Sequence, residues 1–251
     1  MNKDPDKIIL LRGLGREAGH WGSSLKTFKA FFPHSQIFTP DLPGAGVNHK
    51  NDVPFGLKKF IPILREQVDL KPNENNIIMG LSLGGMCTME WIRQYPQDFK
   101  GAVLMNTSFG DVSLPWKRMK PDLLIQMAIA QFQKKEAGEE VVMEIISNNP
   151  SGYEENLKIA YELLKLRPMK FQSLVKQLLA GAFYRLRSRE ISTPLLVLGS
   201  TNDKMVSSEC SVSLGKKLNC EVRLHPWAGH ELPMDDAEWV CRQVRNWWQE
   251  R

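Results

Sequence analysis

Six short apolar runs, spaced by helical patterns, constrain this chain more than any other feature. Residues 7–11 (KIILL), 37–39, 76–79, 102–106, 195–198 and 221–225 read as strands. Several are apolar throughout instead of alternating, so both of their faces must be buried. That happens in a parallel sheet covered by helices on each side. Helical patterns fall at 21–31, 57–68, 83–95 and 207–218, and a last helix runs from about 235 to the end. Asp235-Asp236-Ala237-Glu238 opens it in the manner of a capping box, with the two aspartates as caps. The expectation is an α/β protein with a mostly parallel sheet of about six strands.

The rhythm breaks once. From 111 to 191 no strand candidate occurs, and helical patterns follow one another at 121–135, 139–147, 151–166 and 171–183. A segment this long is far beyond a structureless connection, so it reads as a helical insertion between two strands. The predicted organisation is a core from 1–110 and 192–251, with an inserted helical unit at 111–191. A chain of 251 residues, 42% of them hydrophobic, is long enough for one such domain.

Composition excludes several classes. The net charge of +5 comes from interspersed lysines and arginines, with Arg185, Arg187 and Arg189 the densest group. No helix-turn-helix, zinc-finger or RNA-binding strand pattern occurs, so nucleic acid is not an expected partner. Four cysteines (Cys87, Cys210, Cys220, Cys241) stand without CxxC spacing, which indicates neither a metal site nor a disulfide framework. No run approaches the roughly 20 apolar residues of a membrane span, and the first apolar run is too short for a signal peptide. A cytoplasmic location is expected.

The chemistry centres on "NNIIMGLSLGGMCTMEWIRQY", where Ser82 stands between Gly80 and Gly84. A GxSxG pattern alone arises by chance in roughly one chain of this length in twelve. Here an apolar strand precedes it and a helix begins at the next residue, the setting of a nucleophile elbow. A serine hydroxyl needs a base, and the base needs an orienting acid. Of five histidines, His230 in "PWAGHELPM" follows the last strand, on the edge where the serine would sit. Asp203 in "PLLVLGSTNDKMV" follows the fifth strand, and Asp111 is the reserve acid. Two N–H groups must also meet the developing oxyanion. Leu83 supplies one from the first turn of the helix, and Leu14, after Gly13 in "LLRGLGREAGHW", supplies the other.

With these motifs in order, the chain resembles the α/β-hydrolase superfamily over nearly its whole length. "GLSLGG" matches the elbow, "DLPGAG" the loop after the second strand, "GSTNDKMV" the acid loop and "GHELP" the histidine loop. The resemblance is to small bacterial carboxylesterases with a helical lid, a group that includes carrier-protein methyl ester esterases. It implies Ser82 as nucleophile, His230 as base, Asp203 as acid, and Leu14 and Leu83 as oxyanion donors. It further implies a small-molecule ester or thioester substrate, no cofactor, no metal, and residues 111–191 as a lid over the site. Leu124, Met127, Ile145 and Leu163 are candidates for lining it. On that analogy the three arginines at 185–189 would meet an acidic acyl carrier. Carbon–carbon bond hydrolysis, acyl transfer and perhydrolysis use the same triad, and a non-catalytic receptor is the reading from another class. One departure stands out: Arg12-Gly13 replaces the usual His-Gly. Arg12 is expected to pair with Glu17 or Asp41, or else to draw an acidic substrate.

Overall fold

The computed structural model describes residues 4–71, 74–130, 134–186 and 191–251. Six strands, β1 (Lys7–Leu11), β2 (Gln36–Phe38), β3 (Ile77–Leu81), β4 (Gly101–Met105), β5 (Leu195–Ser200) and β6 (Glu221–His225), form one sheet. Every pairing is parallel, in the order β2-β1-β3-β4-β5-β6. Eleven helices accompany them among the described residues. Three lie in the first half of the core: α1 (Ser24–Phe31), α2 (Phe60–Arg65) and α3 (Leu83–Gln94). Five stand between β4 and β5: α4 (Pro115–Arg118), α5 (Pro121–Ala130), α6 (Lys135–Ile146), α7 (Tyr153–Leu166) and α8 (Phe171–Ala182). Three close the chain: α9 (Ser208–Leu218), α10 (Leu232–Asp235) and α11 (Ala237–Gln249).

The apolar strands behave as their composition requires. Ile9, Leu11, Ile78 and Leu104 pack on the face covered by α2, α3 and α9. Their neighbours Ile8, Leu10, Ile77 and Val103 pack on the opposite face, against α1 and α11. Alternate side chains of one strand thus serve two cores. Each fully buried aliphatic side chain contributes about 1.5–3 kcal/mol, so truncating Ile78 would weaken one core without touching the other.

The departures from expectation are at helix ends. The pattern at 21–31 divides at Gly22, whose φ of 47° only glycine adopts readily, into a 3-10 turn (Ala18–Trp21) and α1. The pattern at 57–68 begins as a 3-10 turn (Leu57–Lys59), and α2 ends at Arg65. Asp236 caps α11, accepting the Trp239 N–H at 2.8 Å, whereas Asp235 has another task. No helix among the described residues is long and apolar enough to cross a membrane.

Because all six strands run the same way, the loops after them gather at one edge. Strand order reverses between β1 and β3, and open α/β sheets bind ligands at such a switch point. The loop after β1 carries Leu14, and the turn after β3 carries Ser82.

Candidate active site

Ser82 sits between β3 and α3 with φ 55° and ψ −116°, a conformation that non-glycine residues rarely adopt. Such backbone persists only where its surroundings over-determine it. Here the Ser82 N–H donates to the Met105 carbonyl (2.8 Å), and the Ser82 carbonyl accepts from Thr107 Oγ1 (2.7 Å) and the Gly85 N–H (2.9 Å). The sharp turn also lets α3 start beside the end of β1. A β-carbon on Gly84 would strike the Leu11 carbonyl at 2.5 Å. Leu83 is the first residue of α3, so its N–H has no partner within the helix. The Leu14 N–H likewise donates to no group among the described residues. Gly13 lies directly against the Ser82 side chain, which brings the β1 loop and the elbow together.

Asp203 and His230 meet on the same edge. His230 Nδ1 lies 2.7 Å from Asp203 Oδ2, and both side chains are buried. Asp203 Oδ1 accepts the N–H groups of Met205 (2.7 Å) and Val206 (2.9 Å), so the carboxylate is held on both sides. A carboxylate only accepts, so Nδ1 carries the proton and Nε2 remains the acceptor. Burial disfavours the imidazolium, but the Asp203 carboxylate, with help from Glu231, outweighs it, and the His230 pKa is raised above its ordinary value. No hydrogen bond joins His230 to the Ser82 hydroxyl in this structure. Asn106 links their loops: it follows Met105, the acceptor for Ser82, and its side-chain amide donates to the His230 carbonyl at 2.8 Å. The reserve acid, Asp111, instead accepts the Leu186 N–H at 2.7 Å.

Two residues hold these loops in a way the sequence did not indicate. Asp235, expected as a cap, accepts from Gly229 N (2.6 Å), Ser147 Oγ (2.5 Å) and Asn148 N (2.9 Å). It thereby ties the histidine loop to the end of α6. Asn106, with φ 41°, also donates to the Gly229 carbonyl at 3.1 Å. Its signal was a small amide side chain at the carboxyl end of an expected strand.

Arg12 pairs with neither Glu17 nor Asp41. Its Nη2 stands 2.7 Å from Glu231 Oε2, with side-chain exposures of 2% and 3%. The contact is a buried ion pair. Nε and Nη1 find no hydrogen-bond partner among the described residues, and the guanidinium lies 4.8 Å from the Trp21 ring centroid. The two expected partners are taken: Glu17 pairs with Arg167 at the end of α7, and Asp41 accepts from Ala18 N and Val47 N. Nor does Arg12 line a substrate cavity. It joins the loop after β1 to the residue following His230.

A cavity of about 530 Å³ opens over Ser82. Leu14, Leu83 and Met86 form its core side, and residues from α4 and the end of α8 form the other. Its lining is mostly apolar, Arg118 is its one cation, and no acidic side chain lines it among the described residues. Trp116 stands at the rim, 57% exposed. Of the expected lining residues, Ile145 is buried in a separate cluster with Met143 and Cys210, and Leu163 packs near Gly19. The side chains of Leu124 and Met127 lie outside the described residues, as do Arg187 and Arg189. Arg185 borders a different hollow of about 330 Å³, beside Phe55 and Phe183. No group of three or more His, Cys, Asp or Glu side chains placed to hold a metal ion occurs among the described residues.

A parallel sheet in this order, a strained serine between its third strand and the next helix, and a helical segment after its fourth strand define an α/β-hydrolase. Within that class, the chain matches the family model described as serine aminopeptidase, S33, over residues 45–237, and it belongs to that family. No curated protein matches it in sequence. Solved structures share the fold. A hydrolase from Oleispira antarctica superposes with a TM-score of 0.75 at 16% identity, over 98% of this chain and 92% of that one. A serine hydrolase from Cycloclasticus zankles gives 0.74 at 22%, over 98% and 90%. A thermophilic esterase from Thermogutta terrifontis gives 0.71 at 19%, also over 98% and 90%.

Proposed function

We propose that this α/β-hydrolase is a serine esterase, cleaving small carboxylic esters or thioesters through Ser82, His230 and Asp203. The observation that carries the reading is the buried Asp203–His230 hydrogen bond, 2.7 Å, on the sheet edge that also holds the strained Ser82. His230 Nε2 takes the Ser82 proton as Oγ attacks the carbonyl carbon, and the C–O double-bond electrons move onto oxygen. The N–H groups of Leu14 and Leu83, without another partner among the described residues, donate to that oxyanion, a stabilisation of about 3 kcal/mol each in the transition state. His230 then protonates the departing alcohol or thiol, and water, deprotonated by the same imidazole, releases the acid. Attack requires Oγ and Nε2 to approach to roughly 2.6–3.2 Å, a contact that commonly tightens only when substrate is bound.

The S33 family description names an aminopeptidase, and one observation favours an ester over a peptide amine terminus. Among the described residues the cavity is lined by Arg118 and by no carboxylate, so an ammonium group entering it would meet a like charge with none of them to pair it. The helices between β4 and β5 act as a lid whose α4 and α8 shape the substrate side. A fluorophosphonate probe tests the reading: it should label the wild-type protein at Ser82 and leave a Ser82→Ala variant unlabelled. Folded wild-type protein that neither reacts with the probe nor turns over a panel of p-nitrophenyl esters would remove the esterase reading.

A further inference from the structure

We propose that Arg118 is an anion-recognising residue of the substrate cavity, and that the preferred substrate is an ester carrying a free carboxylate. The inference rests on the esterase reading and names its substrate class. Arg118 closes α4 and lines the same cavity as Ser82. Its guanidinium is held in place by oxygens that carry no net charge. Nη1 donates to the Ala182 carbonyl (3.0 Å), Nη2 to the Gly181 carbonyl (2.9 Å), and Nε reaches Ser108 Oγ at 3.4 Å. No carboxylate lies within ion-pair distance among the described residues. Asp111 is near enough to favour the cation but forms no ion pair with it, and its Oδ1 accepts the Leu186 N–H.

Burial disfavours the charge on this side chain, yet a guanidinium stays protonated at any physiological pH. Partly buried cations are normally paired, and this one faces a cavity with apolar walls. Three of its five N–H groups are used, which leaves one on each terminal nitrogen to donate to a ligand oxygen. The other polar side chains of the lining do not compete. Ser82 is the proposed nucleophile, Ser108 is a neutral hydroxyl, and the Gln177 amide is committed to Gly15 N and Pro43 O. Arg118 therefore brings the cavity a charge that no lining carboxylate pairs among the described residues, and a substrate carboxylate is the group that would pair it. Contacts to two carbonyls in the last turn of α8 explain how the guanidinium is aimed. They offset part of its charge through the helix dipole and are no full counter-ion.

Two arms locate the carboxylate on the substrate. One compares p-nitrophenyl monoesters of glutaric, adipic and pimelic acids with neutral p-nitrophenyl esters of matched length. The other compares 4-acetoxybenzoate with phenyl acetate, placing the charge on the leaving group. In at least one arm kcat/KM for the acidic ester should exceed the neutral one about tenfold or more, mainly through KM, and the preference should shrink with added salt. Arg118→Gln should lower the acid-to-neutral ratio about tenfold or more, and Arg118→Lys should keep part of it. If wild-type protein turns over neutral esters with no acid preference in either arm, the inference is overturned while the esterase reading stands. An Arg118→Gln variant that loses both substrates in equal proportion reduces Arg118 to a helix clamp. Should hydrolysis itself fail, calorimetric titration of monomethyl glutarate and of 4-acetoxybenzoate into Ser82→Ala protein decides: saturable binding that methyl butyrate does not reproduce upholds the anion site, and no such binding refutes it.

Discussion

The two walls of the cavity over Ser82 are built on different principles. The sheet wall is made of backbone: a serine held at φ 55°, two N–H groups without a partner among the described residues, and a histidine loop fixed by hydrogen bonds to residues after β4 and β5. The helical wall is made of side chains from α4 and α8, joined to one another through Arg118. Backbone positions are set by strand order and register, so the sheet wall presents the same groups to any substrate. The helical wall distinguishes substrates by which side chains it happens to present. Changes to the first should lower turnover on every ester alike, and changes to the second should alter which ester is preferred.

Removing the Ser82 hydroxyl is the largest test of that division. Ser82→Ala should cut kcat at least about 10⁴-fold on neutral and acidic esters together, with the fold intact by circular dichroism. Equal residual turnover within tenfold of wild type would mean that the sheet wall does not carry the chemistry.

Asp203→Asn comes next. Losing the acid that orients His230 should lower kcat by about 10³–10⁴-fold. The pH profile adds a signed readout. Asp203 raises the His230 pKa, and a base must be neutral to act, so the acid limb of kcat/KM in the wild type should lie above the ordinary histidine value near 6.5. Without the carboxylate, the limb should move to lower pH even as the rate falls. A limb that stays in place would point to another acid.

The third test addresses what holds the sheet wall together. Arg12 and Glu231 join the loop after β1 to the residue beyond His230, and both are buried. Arg12→Met leaves the Glu231 carboxylate without its cation and should destabilise the fold by about 3–5 kcal/mol in urea denaturation. The double variant Arg12→Met/Glu231→Gln should recover most of that loss, because no lone charge remains buried. If the single and double variants are equally unstable, the pair does not act as a unit.

The same division explains what could be read in the chain before folding. Strands and elbow were legible because they are local: NNIIM is apolar on both faces, and GLSLGG has glycines where α3 must pass close to β1. Asp203 and His230 were legible because each follows a strand whose carboxyl end shares one edge. The Arg12–Glu231 pair was not, since nothing local joins positions 219 residues apart, even though Glu231 stands beside the histidine in "GHELP". Asp235 was misread for the opposite reason. Its neighbours make a good capping pattern, and only the fold shows that Asp236 takes the cap while Asp235 turns towards Gly229 and Ser147. In the helical segment, elements were recognisable by period, but period alone does not say which face meets the cavity. Ile145 and Leu163 share the helical spacing of lining residues and pack elsewhere.

Gln177 tests the boundary between the walls and should give the smallest effect. It belongs to α8, yet its fully buried amide accepts the Gly15 N–H at 3.1 Å and donates to the Pro43 carbonyl at 2.8 Å. Gly15 directly follows Leu14, so this helical-wall residue fixes part of the sheet wall. Gln177→Met keeps a similar volume but leaves the half-buried Gly15 N–H and the buried Pro43 carbonyl unpaired, a loss of about 1–3 kcal/mol for each group that water cannot reach. With the Leu14 N–H less well fixed, kcat should fall within about tenfold, by the same factor for neutral and carboxylate-bearing esters. Arg118→Gln, one helix away, should instead change their ratio. Steady-state kinetics on matched ester pairs separates the two outcomes. If Gln177→Met shifts the ratio and leaves kcat alone, the boundary lies nearer to β1 than the hydrogen bonds imply, and Gln177 belongs to substrate selection.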